Sequence, residues 1–192
     1  MAGELLRGLT LRPATRDDAA TVAEIYAAYV EGSAVSFELE APDAPEMRRR
    51  MEEVAGRYPW IVAEAEGGRL AGFAYACPFR ARAAYRFAVE TTVYLRAEAG
   101  GQGLGGALHR PLLATLEAQG FTEAIAAIAL PNPASVRLHE RLGFFHAGTY
   151  RRVGYKLGRW LDVGLWQRPL AAAASPPTEP LSLEAAGGLR LA

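Results

Sequence analysis

Two features of the chain combine residue type and spacing that can do chemistry. Residues 100–106 read Gly100-Gly101-Gln102-Gly103-Leu104-Gly105-Gly106, and the apolar segment just before them is interrupted by Glu90. Glycines let the backbone come close to a ligand, and successive free N–H groups where a helix begins bind phosphate oxygens well. A phosphate loop ending in Gly-Lys-Ser/Thr is excluded, because Gly105-Gly106-Ala107 carries no lysine. A dinucleotide fingerprint is literally present at Gly101, Gly103 and Gly106. The acid it needs at the end of the next strand is missing, since that end reads Leu130-Pro131-Asn132. A glycine turn that holds no ligand stays open beside these readings. Glu90 falls on the strand face opposite Val89, Thr91, Val93 and Leu95. A carboxylate there must be solvated in a cleft or paired, and in a cleft it can take a proton from a substrate. The alternative is a glutamate at a strand end in solvent.

Other chemistries find no setting. Three histidines, at 109, 139 and 146, show no paired ligand spacing, so no metal site is expected. Cys77 precedes Pro78 and reads as a packed strand residue, without the surroundings of a covalent nucleophile.

The elements that must position these groups follow from periodicity and capping. Residues 9–12 form a strand candidate, and Thr15 is an N-cap for a helix in which Ala20, Val22, Ile25, Tyr26 and Tyr29 recur at helical spacing. Residues 32–42 are irregular, and residues 45–58 read as a second helix stopped by Pro59. Strands at 61–66 and 70–76 flank the Gly67-Gly68 turn. A polar stretch with Arg80, Arg82, Tyr85 and Arg86 leads to a strand at 88–95. Then come a helix at 104–119 closed by Gly120, an apolar strand at 125–130 and a helix at 134–142. Asn132 and Pro133 start that last helix and Gly143 ends it. Segments 144–150 and 162–167 are strand-like, with a turn at Gly158. This order implies a mixed α/β sheet.

Composition bounds the function. The 192 residues suit one domain, expected to end near Leu170 and to leave residues 171–192 as a flexible tail of Ala, Ser and Pro followed by scattered leucines. Equal numbers of acids and bases, 21 each, argue against a general nucleic-acid partner. Residues 100–169 nevertheless hold eight bases against four acids, a modest field for a small polyanion or simply solvated arginines. No stretch approaches the ~18 apolar residues of a membrane span. A single cysteine points to a reducing compartment, and the expectation is a cytoplasmic protein. Arginine outnumbers lysine twenty to one.

The strand Thr91-Thr92-Val93-Tyr94-Leu95, the loop Gly103-Leu104-Gly105 and the run Asn132-Pro133-Ala134-Ser135 to Leu142-Gly143-Phe144 resemble GNAT-type N-acetyltransferases. Tyr58-Pro59-Trp60, Glu117-Ala118-Gln119-Gly120-Phe121 and Trp160-x-Asp162-Val163-Gly164-x-Trp166-Gln167 resemble the phosphinothricin and methionine sulfoximine acetyltransferases within that family. The resemblance runs from Leu11 to Leu170. It implies the GNAT fold: a mostly antiparallel mixed sheet with a splayed central strand pair, flanked by about four helices. It also implies an acetyl-CoA-dependent enzyme moving acetyl directly to the α-amine of a small amino-acid-like substrate, and a homodimer. A protein or peptide N-terminal acetyltransferase and a non-catalytic acyl-CoA-binding module are the alternatives.

By the same resemblance, Glu90 matches the general base and His139 a histidine that assists, although a mid-helix histidine also reads as packing. Val93, Tyr94 and Leu95 match the splayed strand end, whose amides bond the thioester oxygen and pantetheine. Gly101, Gln102, Gly103, Leu104, Gly105 and Gly106 match the pyrophosphate cradle. Asn132 caps its helix or holds CoA, two compatible roles. Arg82 and Tyr85 match residues that approach the acceptor, partly across a dimer interface, and Phe37 one that lines the pocket. Three departures stand out. Gly100 occupies a position usually Gln or Arg, and His109 replaces a tyrosine common near the cofactor sulfur. Pro111 lies inside a helix, where proline typically costs ~3 kcal/mol.

Overall fold

The computed structural model describes residues 8–191. One sheet runs through it in the order β1-β2-β3-β4-β5-β7-β6. Its strands are β1 Leu9–Pro13, β2 Trp60–Ala65, β3 Leu70–Pro78, β4 Ala88–Leu95, β5 Glu123–Leu130, β6 Phe145–Lys156 and β7 Arg159–Pro169. The helices are α1 Ala19–Gly32, α2 Ala44–Val54, α3 Leu104–Ala118 and α4 Pro133–Arg141. All strand pairs are antiparallel except β4–β5. This is the expected GNAT architecture.

Strand alternation sorts the core to two sides of the sheet. Ile61, Ala63, Ala74 and Ala76 meet Leu104, Leu108, Leu112 and Leu116 of α3. On the other face Val62, Phe73 and Tyr94 meet Val22, Ile25, Tyr26 and Val30 of α1 and Met47 and Met51 of α2. Each buried leucine or valine contributes about 1.5–3 kcal/mol relative to exposure. The two packed layers therefore fix β3 and β4 from both sides.

Local chemistry sets the helix starts. Asp43 caps α2, its carboxylate accepting from the Glu46 N–H at 2.9 Å. Asn132 caps α4, its Oδ1 accepting from the Ser135 N–H at 3.1 Å, with Pro133 at the first position. At Thr15 a 3-10 turn, Arg16–Asp18, precedes α1, and the Thr15 N–H donates to the Asp18 carboxylate at 2.7 Å. α3 runs unbroken through Pro111.

The structure differs from the sequence expectation in three places. α2 ends at Val54 rather than near Tyr58, because Gly56 turns the chain with a φ of 77° before Pro59 can act. β6 and β7 are longer than their apolar centres. β6 is an edge strand with little apolar alternation, and its register shifts between Tyr150 and Gly154. Residues 171–191 form no helix or strand, yet they are tied to the domain rather than loose. The Leu181 N–H donates to Gln119 O at 2.8 Å, the Leu183 N–H to Gly56 O at 2.9 Å, and the Arg190 N–H to Thr115 Oγ1 at 3.0 Å. Leu189 and Leu191 pack on the α3 side of the core. The Ala/Ser/Pro composition hides these well-spaced leucines.

Candidate active site

β4 and β5 pair only at Ala88↔Glu123, Val89↔Ala124 and Glu90↔Ile125. Beyond Glu90 each keeps only its outer partner, β4 running to Leu95↔Gly72 on β3 and β5 to Leu130↔Asp162 on β7. The gap opens into a cleft of about 570 Å³ lined by Glu90 to Tyr94, Ala126 to Ala129, Asn132, Ser135 and His139. Residues Val35 to Glu38, Tyr26 and Tyr75 close its other side.

The backbone of β4 presents one amide to this gap. The Arg96 N–H donates to Ala71 O at 2.9 Å, so at a period of two the amides of Tyr94 and Thr92 also face β3. The amides of Val93 and Leu95 face the gap. The Tyr29 hydroxyl donates to Leu95 O at 2.6 Å and accepts from the Leu95 N–H at 3.2 Å. Val93 is thus the donor left for a ligand. Of the triplet named from the sequence, Tyr94 contributes its ring to the wall instead. That ring is held by Tyr26 and Tyr29 at centroid distances of 5.0 and 4.9 Å.

At the end of β4 a short 3-10 turn, Ala97–Ala99, leads into the glycine loop. Gly101 and Gly103 have φ of 75° and 88°, which only glycine adopts without strain, and a side chain there would meet open space. Gly103 caps α3, and the amides of Leu104, Gly105 and Gly106 have no acceptor within the helix. At Gly105 an added Cβ would lie 3.1 Å from Leu138, so glycine also lets α4 approach. Gln102 turns back, its side-chain N–H donating to Glu98 O at 2.8 Å. A row of open amides at the positive end of a fifteen-residue helix suits a pyrophosphate.

Glu90 stands half-buried where the strands part. Burial raises its carboxyl above the ordinary carboxylate range, and the nearby Arg80 partly offsets this. Cys77 is its register partner on β3, and burial with the Glu90 charge pushes that thiol up to about 12. It stays protonated. His139 is 3% exposed on the wall of the cleft. Its Nδ1–H donates to Ser135 O at 2.8 Å, which leaves the lone pair on Nε2. That Nε2 is covered and bonds nothing among the described residues, and burial lowers the imidazole pKa, keeping it neutral. His109 lies behind it, ring to ring at 5.1 Å, fully buried with Nε2 3.4 Å from Thr91 Oγ1. Burial, then the neighbouring His139, pushes His109 down to about 3. His109 does not line the cleft, so the position matched to a tyrosine near the sulfur is filled by a packed, neutral imidazole.

Residues 11–165 match the model of the acetyltransferase (GNAT) domain. The chain belongs to the GNAT acetyltransferases. The phosphinothricin N-acetyltransferase of Streptomyces viridochromogenes is 47% identical over 177 residues, covering 92% of this chain and 96% of that protein. The L-methionine sulfoximine/L-methionine sulfone acetyltransferase of Salmonella typhimurium is 34% identical over 88% of this chain and 98% of its own. Among solved structures, a phosphinothricin acetyltransferase from Sinorhizobium meliloti in complex with acetyl-CoA superposes with a TM-score of 0.84. It is 40% identical, and the match covers 91% of this chain and 95% of that one. This chain is accordingly an N-acetyltransferase.

Within the acetyltransferase the sequence-derived residues divide. Glu90, Val93, Tyr94, Asn132, His139 and Phe37 share the cleft, and the glycine loop lies at the start of α3. Arg82 and Tyr85 do not line the cleft of their own chain. Arg82 precedes and Tyr85 ends the 3-10 turn Ala83–Tyr85 between β3 and β4; both are exposed, with Tyr85 against Phe79 at 5.6 Å. Sequence reasoning missed Arg80, Glu38, Tyr26 and Tyr75. Arg80 was visible as one of several bases in a polar stretch, but its proximity to Glu90 was not. Glu38 lies in the irregular stretch 32–42, where no periodicity marks it. Among the described residues no group of three or more His, Cys, Asp or Glu is placed to hold a metal, and no helix is long and apolar enough to cross a membrane.

Proposed function

We propose that the chain transfers acetyl from acetyl-CoA directly to the α-amine of a small amino-acid-like acceptor, of the kind named for its phosphinothricin and methionine sulfoximine relatives. The observation that carries this reading is the half-buried Glu90, raised in pKa, at the point where β4 and β5 part. The open amides of the glycine loop lie at the far end of β4.

Glu90 takes one proton from the acceptor ammonium, directly or through a water. The neutral amine attacks the thioester carbon, forming the C–N bond. The Val93 amide meets the developing oxyanion. As the C–S bond breaks, the second nitrogen proton passes to the thiolate sulfur, and Glu90 returns its proton to solvent. His139, neutral with its lone pair on Nε2, has to receive a proton before giving one, and it relays between nitrogen and sulfur only if its covered Nε2 opens to the cleft. Phe37 and Tyr75 bound the acceptor, Asn132 borders the pantetheine arm, and Leu104 to Gly106 hold the pyrophosphate. The protonated Cys77 supports direct transfer over an acetyl-enzyme.

The reading includes a cytoplasmic homodimer. Tyr150, Val153, Tyr155, Leu157 and Trp160 are exposed apolar residues around the β6–β7 hairpin, the kind of surface a second copy covers. Arg82 and Tyr85 would then approach the partner's cleft, where an arginine can clamp an acceptor carboxylate. Acetyl-CoA-dependent thiol release across amino acids, including methionine sulfoximine and phosphinothricin, and across short peptides tests the proposal. Turnover on amino acids with intersecting initial-rate lines is expected. Turnover on peptides alone would replace the acceptor class. Acetyl-CoA binding without turnover on any amine would refute direct transfer by Glu90. Sedimentation of the purified chain tests the dimer.

A further inference from the structure

The chain has a single lysine, Lys156, against twenty arginines. It is at the end of β6, only 7% exposed, in a strand otherwise largely open to solvent. Its Nζ donates to Val30 O at 2.6 Å and to Ser36 O at 2.7 Å. Val30 belongs to the last turn of α1, whose carbonyls lack intrahelical partners and carry the negative end of the helix dipole. Ser36 lies on the loop from α1 to α2, whose residues 35–38 form one wall of the cleft.

A second contact from β6 reaches the same loop. Phe37 packs on Gly154 so closely that a Cβ at Gly154 would lie 2.1 Å from the ring. The cleft side of the loop is then locked laterally. The Tyr26 hydroxyl donates to Glu38 Oε1 at 2.8 Å, and the Ser36 hydroxyl, 2.7 Å away, donates to Tyr26.

We infer that Lys156 is the positioning residue of the acceptor site: its ammonium, with Gly154 beneath Phe37, clamps residues 33–38 to β6 and sets the shape of the wall that receives the acceptor. Two carbonyls from separate segments converge on one point. A compact ammonium with three donors meets them, whereas a planar guanidinium spreads its donors over a fork. An ammonium therefore suits this position, the one place where the chain carries lysine. Burying this charge is tolerable because two of its three N–H groups are paired with carbonyls and the side chain keeps a small exposure. The inference rests on the acetyl-transfer reading only for its kinetic part.

The test compares Lys156→Met, Lys156→Arg and Gly154→Ala with the wild-type protein. Hydrogen exchange of the Val35 and Glu38 amides, which donate to Ser33 Oγ and Ser36 Oγ, should accelerate at least tenfold in Lys156→Met. The acceptor KM should rise at least tenfold, with kcat and the acetyl-CoA KM changing less than threefold. Gly154→Ala, which keeps the charge, should give the same split between the two KM values. Unchanged exchange at residues 33–38, a parallel loss in both KM values, or full rescue by Lys156→Arg would each overturn the inference. If the wild-type protein acetylates no amine, the function reading falls and exchange alone decides the clamp.

Discussion

The two ends of the cleft are built differently. The glycine-loop end is backbone: Val93 on β4 and the first turn of α3 offer amides, and local sequence fixes them. The proposed acceptor end is side chain, assembled from residues 35–38 and Tyr75 on β3, with Gly154 and Lys156 on β6 backing the loop. Backbone donors tolerate change in the residues that carry them, except where a left-handed φ demands glycine. Side-chain walls change with every substitution. One fold can therefore keep its acyl donor while exchanging its acceptor.

Glu90 sits where the two ends meet, and removing it should have the largest effect. Glu90→Gln is expected to lower kcat/KM by about 10²–10⁴ with both KM values little changed. The wild-type kcat/KM should fall as pH drops through the raised pKa of Glu90, above the ordinary carboxylate range, because only the ionised form is a base. Glu90→Gln should erase that acid limb. The same raised pKa means the ionised group costs folding free energy, a cost that disappears at acid pH. Glu90→Gln should thus match or exceed the wild-type Tm at neutral pH and lose that advantage below the carboxylate range. A variant that keeps full kcat/KM across pH would remove Glu90 from its role.

Arg82→Ala probes the acceptor end across the proposed dimer. Loss of one charge-assisted hydrogen bond, about 1.5–3 kcal/mol, should raise the acceptor KM roughly 10- to 100-fold and spare the acetyl-CoA KM. Mixed dimers of Arg82→Ala and Glu90→Gln should regain activity if the arginine serves the partner's cleft. Gly103→Ala probes the other end. Forcing a side chain to a φ of 88° costs about 1–2 kcal/mol, and the acetyl-CoA KM should rise roughly tenfold while the acceptor KM holds. His139→Phe should give the smallest kinetic change if the ring only packs against Phe144, 5.1 Å away, and a kcat loss of about tenfold or more if it relays a proton.

The same contrast governs what the sequence makes legible. Gly101, Gly103, Asn132 and Gly143 announce their turns and caps because the physics is local. The apolar register of β4 likewise isolates Glu90. By contrast, the engagement of the Leu95 amide by Tyr29, 66 residues away, depends on tertiary packing, and so does the retreat of His109 behind His139. The docking of Leu181 on Gln119 and the grip of Lys156 on two distant carbonyls are invisible for the same reason. The acceptor wall is made almost wholly from such contacts, which is why Phe37 could be named only by resemblance.

The thiol of Cys77 has a practical meaning at the bench. Burial and the Glu90 charge push its pKa up to about 12, so very little of it is thiolate at neutral pH. Cys77 is the sole cysteine of the chain. A chromogenic disulfide reagent added to a running reaction should therefore report coenzyme A released in turnover against a nearly silent protein background.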